Sequence, residues 1–183
     1  LEVGGTLPPF ELRQIKYIKA ACKRQEDFVK HLLWSSEAGA YVWAFHSLDV
    51  ILHKALEGIK TSLPSHINIE WRISREPIVV FMSEDALVAS ILELLHNSIH
   101  SMADQGTIVI SLVREEIDNI TNFSKKAKPG SYGVISIMDN GIGIKPDTLK
   151  KVVEPFYTTA INRDVAGLGL SIAYGVSRAH GGG

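Results

Sequence analysis

The sequence predicts an α+β sandwich in which a mixed sheet is covered by helices on one face. Segments with helical spacing of apolar residues mix with segments that alternate like strands, without the strict βαβ order of a doubly wound sheet. The 183 residues contain no internal repeat and no low-complexity tract. Hydrophobic residues make up 45% of the chain and charged residues 21%, which is ordinary for one soluble domain with an appendage.

The N-terminal part predicts a loop, a bundle helix and a hinge. Residues 1–9 are rich in Gly and Pro, and residues 10–35 carry apolar side chains at steps of three and four. This stripe consists of Ile15, Ile18, Cys22, Val29 and Leu32, and it is interrupted by the polar Gln25. Because a lone helix cannot bury such a stripe, we expect it to pack in a bundle or dimer, with docking on its own domain as the alternative. Gly39 and the aromatic residues 41–45 indicate a hinge.

Four predicted helices and four predicted strands follow the hinge. Ser47 is placed to cap a helix over 47–60. A strand over 66–74 alternates, and a short apolar strand over 78–82 leads to a helix over 83–102 with an acidic first turn, as the helix dipole favours. The remaining predictions are strands over 107–114 and 133–138 separated by a loop over 118–131, a short helix over 146–152, an irregular segment over 154–166 and a helix over 168–179.

Charge and cysteine content limit the functional classes. A net charge of −1 with scattered basic residues gives no indication of a nucleic-acid surface. Cys22 is the only cysteine, which excludes an intramolecular disulfide and fits a reducing compartment. No run of 18 apolar residues and no signal-peptide pattern occur, so we expect a cytoplasmic location, with a parent protein that can still be membrane-anchored.

Asp139 is the candidate base-binding residue. It ends an apolar strand and precedes Gly141 and Gly143, which let the backbone approach a ring or a phosphate closely. A carboxylate accepts a hydrogen bond from the exocyclic amine of adenine, whereas guanine presents a carbonyl at that edge. A simple glycine turn is the alternative for this segment taken alone.

Glu93 and Asn97 are the candidate metal ligands. They lie four residues apart on one face of the predicted helix over 83–102, and His100 follows on the same face. An amide and a carboxylate one turn apart can hold a hydrated Mg²⁺ that bridges phosphate oxygens. A solvated polar helix face is the alternative.

A second glycine pair, Gly167 and Gly169, opens the last predicted helix. Unpaired backbone N–H groups at a helix start form an anion cradle, although a plain turn has the same pattern. The segment 154–166 before it could fold over a nucleotide as a lid. Neither a Walker loop nor a dinucleotide fingerprint is present.

In this order, four segments closely resemble the N, G1, F and G2 boxes of the ATP-binding domain of sensor histidine kinases, within the GHKL superfamily. They are ELLHNSIHSM (93–102), DNGIGI (139–144), EPFYTT (154–159) and GLGLSIAYGVSRAHGG (167–182). The last two segments resemble those of histidine kinases more than those of the gyrase, MutL or Hsp90 relatives. The resemblance covers about residues 45–183, and the preceding helix is similar to the second helix of the dimerisation and phosphotransfer hairpin.

The resemblance implies a Bergerat-type α/β sandwich and three regions. These are a partial dimerisation region over 1–38, a hinge over 39–46 and an ATP-binding domain over 47–183, whose usual last strands would lie after Gly183. It implies ATP and Mg²⁺ as cofactors, Asn97 and Glu93 as metal ligands and catalytic residues, and Asp139 as the adenine contact. The implied nucleotide-contacting set is Asn97, His100, Asp139, Gly141, Gly143, Ile144, Phe156, Thr158, Thr159, Gly167, Leu168, Gly169 and Leu170.

The chain departs from the family pattern at several positions. Glu93 stands where histidine kinases often have Asn, and resembles the water-activating Glu of the ATPase relatives. His100 replaces a common Lys, Arg or Gln, and Ala160 replaces a frequent Lys. No phosphoacceptor motif surrounds His31, His46 or His53, so the histidine that receives the phosphate is expected outside this fragment.

Three functions remain open on this basis. The first is the catalytic module of a sensor histidine kinase, which donates the γ-phosphate of ATP to a histidine of the same or a partner subunit for relay to a response-regulator aspartate. We expect its parent to be a homodimer. The second is an ATPase with Glu93 as general base. The third is a nucleotide-sensing or dimerising pseudokinase in which helix 10–35 is the working part.

Overall fold

The computed structural model describes residues 41–102, 105–117, 128–158 and 167–182, together with positions 8, 10–15, 17–19, 21, 22, 25 and 29. Every described position from 10 to 29 is helical, as predicted. Leu32 and Gly39 lie outside the described residues. Within the described part, no helix combines the length and apolar character needed to cross a bilayer.

From residue 41 onward the described residues form five strands, three α-helices and a 3₁₀ helix. In chain order these are β1 (Trp43–Ser47), α1 (Leu48–Ile59), β2 (Ile67–Ile73), β3 (Val79–Ser83), α2 (Glu84–His100), β4 (Gly106–Ile117), β5 (Gly130–Asp139), the 3₁₀ helix (Pro146–Thr148) and α3 (Gly169–Ala179). The helix predicted over 146–152 is therefore shorter than expected and of the 3₁₀ type, and turns follow it.

Strand β1 contains residues 43–46 of the segment predicted as a hinge. It pairs antiparallel with β3 so that Phe45 lies opposite Phe81. The ring of Phe81 packs between those of Trp43 and Phe45, with centroid distances of 5.7 and 5.1 Å. Cross-strand aromatic pairs of this kind stabilise a sheet, which explains why an aromatic stretch forms a strand here.

A three-stranded mixed sheet holds the site. Strand β2 runs parallel to β4, and β4 runs antiparallel to β5. The register places Asp139, the last residue of β5, opposite Ile108 near the start of β4. The β1–β3 pair is a separate two-stranded sheet. The α+β prediction is confirmed.

Helix α2 packs on two sides. With α1 it covers the sheet and closes a core against the inward-facing residues of β4. This core includes Ile51 and Leu52 of α1, Leu95 of α2, and Ile108, Ile110 and Leu112 of β4. A second cluster joins α2 to α3 through Ala86, Leu168, Ile172 and Val176. The helix that carries the candidate metal ligands is thus fixed between the sheet and α3.

The serines predicted to begin α1 and α2 occupy the N-cap positions but make no side-chain capping bond. The hydroxyl of Ser47 donates instead to the carboxylate of Asp49. Ser83 contributes its backbone N–H, which donates to Nε2 of His180 at 3.0 Å. The start of α2 is therefore attached to the end of α3.

The ring of His180 is held in its neutral form. Its Nε2 accepts from Ser83, and its Nδ1 lies 2.7 Å from the carbonyl oxygen of Val176, to which it donates. Burial lowers the pKa of His180, and the backbone hydrogen bond to Val176 only partly opposes this. The ring of Trp43 packs on it with a centroid distance of 4.6 Å.

Candidate nucleotide-binding site

The carboxylate of Asp139 is fixed by three neutral donors. The hydroxyl of Ser101 lies 2.9 Å from Oδ1 and the backbone N–H of Gly141 donates to the same oxygen at 3.0 Å. The hydroxyl of Ser98 donates to Oδ2 at 3.1 Å. Ser98 is buried near the C-terminal end of α2, and Ser101 follows that end directly. The end of β5 and the end of α2 therefore meet at this carboxylate.

The turn after Asp139 wraps around Ser101. A Cβ atom on Gly141 would overlap the Ser101 hydroxyl and would lie 2.7 Å from the Ser101 carbonyl oxygen. The N–H of Ile142 donates to that carbonyl at 3.1 Å. Gly141 is therefore required by close approach to α2, and this explains its presence in the turn.

Asn97 and Glu93 lie against the start of α3. A Cβ atom on Gly169 would lie 2.7 Å from Oε2 of Glu93 and 3.1 Å from Nδ2 of Asn97. Nδ2 of Asn97 is buried and makes no hydrogen bond within the described part of the chain. A buried polar atom without a partner is rare, and one at a helix N-terminus is typical of a site for a polar ligand.

The second glycine turn contacts the segment before it. Gly167 has φ of +66°, and a Cβ there would lie 2.7 Å from the Phe156 carbonyl carbon and 2.7 Å from the Tyr157 carbonyl oxygen. Phe156 itself has φ of +67°, which is unusual for a residue other than glycine. Residues 156–157 and the glycine turn that precedes α3 are thus in direct contact.

The remaining predicted residues fall into three groups. Leu168 is buried in the α2–α3 cluster, so only its backbone can face a ligand. The described residues His100, Gly143, Ile144, Phe156 and Thr158 are exposed, and Leu170 is half-buried. Thr159 lies outside the described residues. The contacts of these residues with a nucleotide stay predictions.

His96 on α2 is a second imidazole with a lowered pKa, in addition to His180 at the end of α3. Burial lowers the pKa of His96, and the nearby charge of His100 lowers it further. Both effects favour the neutral form of the His96 ring.

Sequence reasoning missed Ser98 and Ser101. Ser98 lies on α2 and Ser101 caps its C-terminal end, and serine is an ordinary small residue at both kinds of position. Their only signal was their spacing of three residues, which puts both hydroxyls on one side of the helix. The partner, Asp139, is 38 residues further along the chain than Ser101 and could not be inferred locally.

A polar cavity of about 340 Å³ lies next to this site. Its lining includes His66, Asn68, Thr107 and Asn140, and none of the predicted nucleotide residues. The Oδ1 atom of Asn140 accepts from the N–H of Thr107 at 2.9 Å, which ties the turn to β4. This side chain therefore stabilises the turn through a contact with β4.

Together the fold and the site define the GHKL class of α/β sandwich. The family described as histidine kinase-, DNA gyrase B- and HSP90-like ATPase matches residues 82–183, more than half of the chain. The chain therefore belongs to this family.

Its relatives in sequence include two bacterial kinases. Sensor histidine kinase ZraS of Salmonella typhi is 32% identical over 134 residues, which cover 73% of this chain and 26% of ZraS. Sporulation kinase C of Bacillus subtilis is 26% identical over an alignment of 184 positions, which covers 100% of this chain and 39% of that kinase. The chain thus spans only a minor part of the curated relatives it matches.

Solved structures of histidine kinases share the fold. The mycobacterial sensor histidine kinase MprB superposes with a TM-score of 0.59 at 24% identity, over 76% of this chain and 81% of that one. Full-length ShkA, whose structure is a complex with AMPPNP, superposes with a TM-score of 0.66 at 19% identity, over 96% of this chain and 35% of ShkA.

Proposed function

We propose that this chain is the catalytic module of a two-component sensor histidine kinase that binds ATP with Mg²⁺. The observation that carries the proposal is the convergence of three separated segments. Asp139 contacts Ser98 and Ser101 at the end of α2, and Gly169 at the start of α3 contacts Asn97 on the same helix. A base and a triphosphate tail can therefore bind at neighbouring points of one helix.

The base side of this site suits adenine. Asp139 offers an acceptor to the exocyclic amine, and its neutral partners leave its negative charge uncompensated. A guanine carbonyl at the same position would place two acceptors against each other without a proton between them. This supports ATP over GTP as the nucleotide.

The phosphate side suits a hydrated metal ion. Asn97 is the residue that would hold Mg²⁺, because the buried Nδ2 atom of its amide lacks a partner among the described residues and a half-turn of the amide presents Oδ1 in its place. Glu93 lies one turn before it on α2 and also approaches Gly169, the first residue of α3. Mg²⁺ retains waters and takes phosphate oxygens as ligands, so two side chains suffice. When bound, the ion would neutralise charge on the phosphates.

The chemistry assigned to the chain is mainly positioning. Phosphoryl transfer depends on alignment and charge neutralisation, so the site needs no nucleophile of its own. The receiving group is a neutral imidazole outside residues 1–183, and the phosphate then passes to an aspartate of a response regulator. We place this exchange in the cytoplasm, with a parent protein that can be membrane-anchored.

Dimerisation is assigned to the N-terminal helix. Its described apolar residues Ile15, Ile18 and Val29 are exposed, at 36%, 61% and 52%. An exposed stripe of this spacing favours a partner helix, and a homodimer of the parent would supply one.

Calorimetry and radiolabelling test this function together. We expect the chain to bind ATP in the presence of Mg²⁺ and to remain unlabelled after incubation with γ-labelled ATP. Absence of binding would favour the non-enzymatic interpretation, in which helix 10–35 is the working part. A labelled histidine within residues 1–183 would contradict an external acceptor.

ATP hydrolysis is the second candidate function. It is favoured by one contact, the approach of the Glu93 carboxylate to the first residue of α3, where the γ-phosphate and an attacking water would lie. Steady phosphate release that is abolished in Glu93→Gln would support hydrolysis. Release that is absent, or unchanged in this variant, would exclude Glu93 as general base.

A further inference from the structure

We infer that Ser98 and Ser101 are positioning residues that aim the Asp139 carboxylate at a 6-amino group and thereby set the preference for the base. This inference rests on the proposed ATP site. It assigns the two hydroxyls a role that extends beyond packing, although Ser98 is buried and Ser101 is half-buried.

The first step is the distribution of donors over the carboxylate. Oδ1 lies near two donors, the Ser101 hydroxyl at 2.9 Å and the Gly141 N–H at 3.0 Å. Oδ2 receives one, the Ser98 hydroxyl at 3.1 Å. Since each carboxylate oxygen has two lone-pair directions, the open acceptor direction is on Oδ2. The arrangement therefore leaves Oδ2 as the oxygen that accepts a hydrogen bond from the amine.

The second step is the rigidity of the arrangement. The Ser101 hydroxyl lies 2.8 Å from the Ser98 carbonyl oxygen as well as close to Oδ1, and its single proton is shared between the two acceptors. The turn formed by Gly141 and Ile142 holds Ser101 from the other side. Both side-chain donors therefore have little freedom, and the Asp139 carboxylate is fixed before a ligand arrives.

The third step is the choice of partner. Hydroxyl and amide donors orient an anion without neutralising it, whereas a lysine or arginine would form an ion pair and compete with the ligand. A carboxylate that is fixed but still charged is a strong acceptor for an exocyclic amine. Replacing both serines by alanine would leave Gly141 as the one remaining donor of the three, and the carboxylate could rotate away from the base.

The test compares two nucleotides that differ only in the 6-amino group. ATP and purine riboside 5′-triphosphate, which lacks this amine, are titrated with Mg²⁺ into the wild-type chain and into Ser98→Ala, Ser101→Ala and the double variant. For the double variant we expect ATP to bind about 5- to 10-fold more weakly, and the purine analogue to change less than about twofold. Each single variant should show a smaller loss in the same direction.

Ser90→Ala is the matched control. Ser90 is 5% exposed on the same helix and lies about 12 Å toward its N-terminus from Ser98. We expect this variant to bind both nucleotides like the wild type. Melting curves without nucleotide establish that each variant is folded, and the single variants carry the test if the double variant does not fold.

Each of the remaining outcomes would overturn a different part of the proposal. Equal losses for ATP and the analogue mean that the serines act on the fold and not on the base. No loss for ATP means that they do not position Asp139. If the folded wild-type chain binds neither nucleotide, the ATP site itself is wrong and the inference falls with it.

Discussion

Glu84 lies at the beginning of α2, and Asp139 of β5 lies against its end. Both carboxylates are fixed by partners from other elements, but the partners differ in charge. Glu84 binds the ammonium group of Lys54 and lies 3.2 Å from Nδ1 of His46. The hydrogen bond with Lys54 lowers the pKa of Glu84, and the charges of Lys54 and His46 act in the same direction against the effect of burial. Asp139 has two serine hydroxyls and one backbone N–H.

This difference separates a structural carboxylate from a candidate binding carboxylate. A carboxylate paired with cations has its charge compensated and contributes mainly to joining α1, β1 and α2. A carboxylate held by neutral donors keeps its charge and an acceptor direction for a ligand. The start of α2 therefore carries a structural ion pair, and its end holds the candidate base-binding carboxylate of β5.

The largest expected effect is the loss of the Asp139 carboxylate, with the loss of the Glu84 carboxylate as its control. Asp139→Ala should weaken ATP binding by about 1–3 kcal/mol, or about 5- to 150-fold, because the base loses its acceptor. Glu84→Ala should change the dissociation constant by less than about twofold, and calorimetry measures both. An unchanged constant in Asp139→Ala would remove this residue from the site.

The phosphate side offers a second contrast, within α3. A Cβ in Gly169→Ala must displace the Glu93 carboxylate or the Asn97 amide, so we expect ATP binding with Mg²⁺ to weaken about 10-fold. Gly175→Ala, where a Cβ meets nothing within 4 Å, should leave binding unchanged and stabilise the helix by up to about 1 kcal/mol. Equal binding by the two variants would contradict a phosphate site at this turn.

The pH dependence of stability tests the attachment at the start of α2. Burial lowers the pKa of both His180 and His96, so the unfolded chain binds protons more readily than the folded chain. Their contribution to stability is present above about pH 6.5, the unfolded-state value, and is lost as the pH falls through the lower folded-state values. We therefore expect the melting temperature to fall below that pH.

The matched variants for this prediction are His180→Gln and His96→Gln. Each variant should show a less steep fall of the melting temperature toward acid pH, because a glutamine does not titrate. His180→Gln should also lower stability at neutral pH, where the link between Ser83 and Val176 is lost. A melting temperature that stays constant or rises toward acid pH would contradict half-buried imidazoles that are neutral in the folded chain.

The smallest effect is expected at the Glu84 ion pair. Glu84→Gln should lower the free energy of unfolding by about 0.2–1 kcal/mol, since partly exposed ion pairs contribute little. The difference from the wild type should shrink at high salt, which screens the pair. Urea unfolding at two salt concentrations measures it, and a loss independent of salt would show that packing, and not charge, is responsible.

The sequence predicted those features that depend on local pattern. Helix α2 is recognisable from its acidic start and apolar spacing, and β2 from its alternating isoleucines, and both lie within two residues of their expected bounds. The motif residues Asn97, Asp139 and Gly169 were identified by type and order. Chemistry that requires a particular side chain at a particular element end leaves such a local trace.

Features that depend on distant neighbours were missed. Trp43 and Phe45 form a strand because Phe81 lies between their rings, and no local pattern indicates this. Ser98 and Ser101 acquire a role only when Asp139 is brought to them from β5. The sequence predicted the candidate ligand contacts but not the side chains that fix them.

A crystal structure of the chain with Mg²⁺ and a non-hydrolysable ATP analogue tests the central claim most directly. We predict the 6-amino nitrogen within about 3.2 Å of the Asp139 carboxylate, on Oδ2, with the phosphates at the start of α3 beside Asn97. A nucleotide bound elsewhere, for example in the polar cavity beside Asn140, with Asp139 contacting only Ser98, Ser101 and Gly141, would contradict the account.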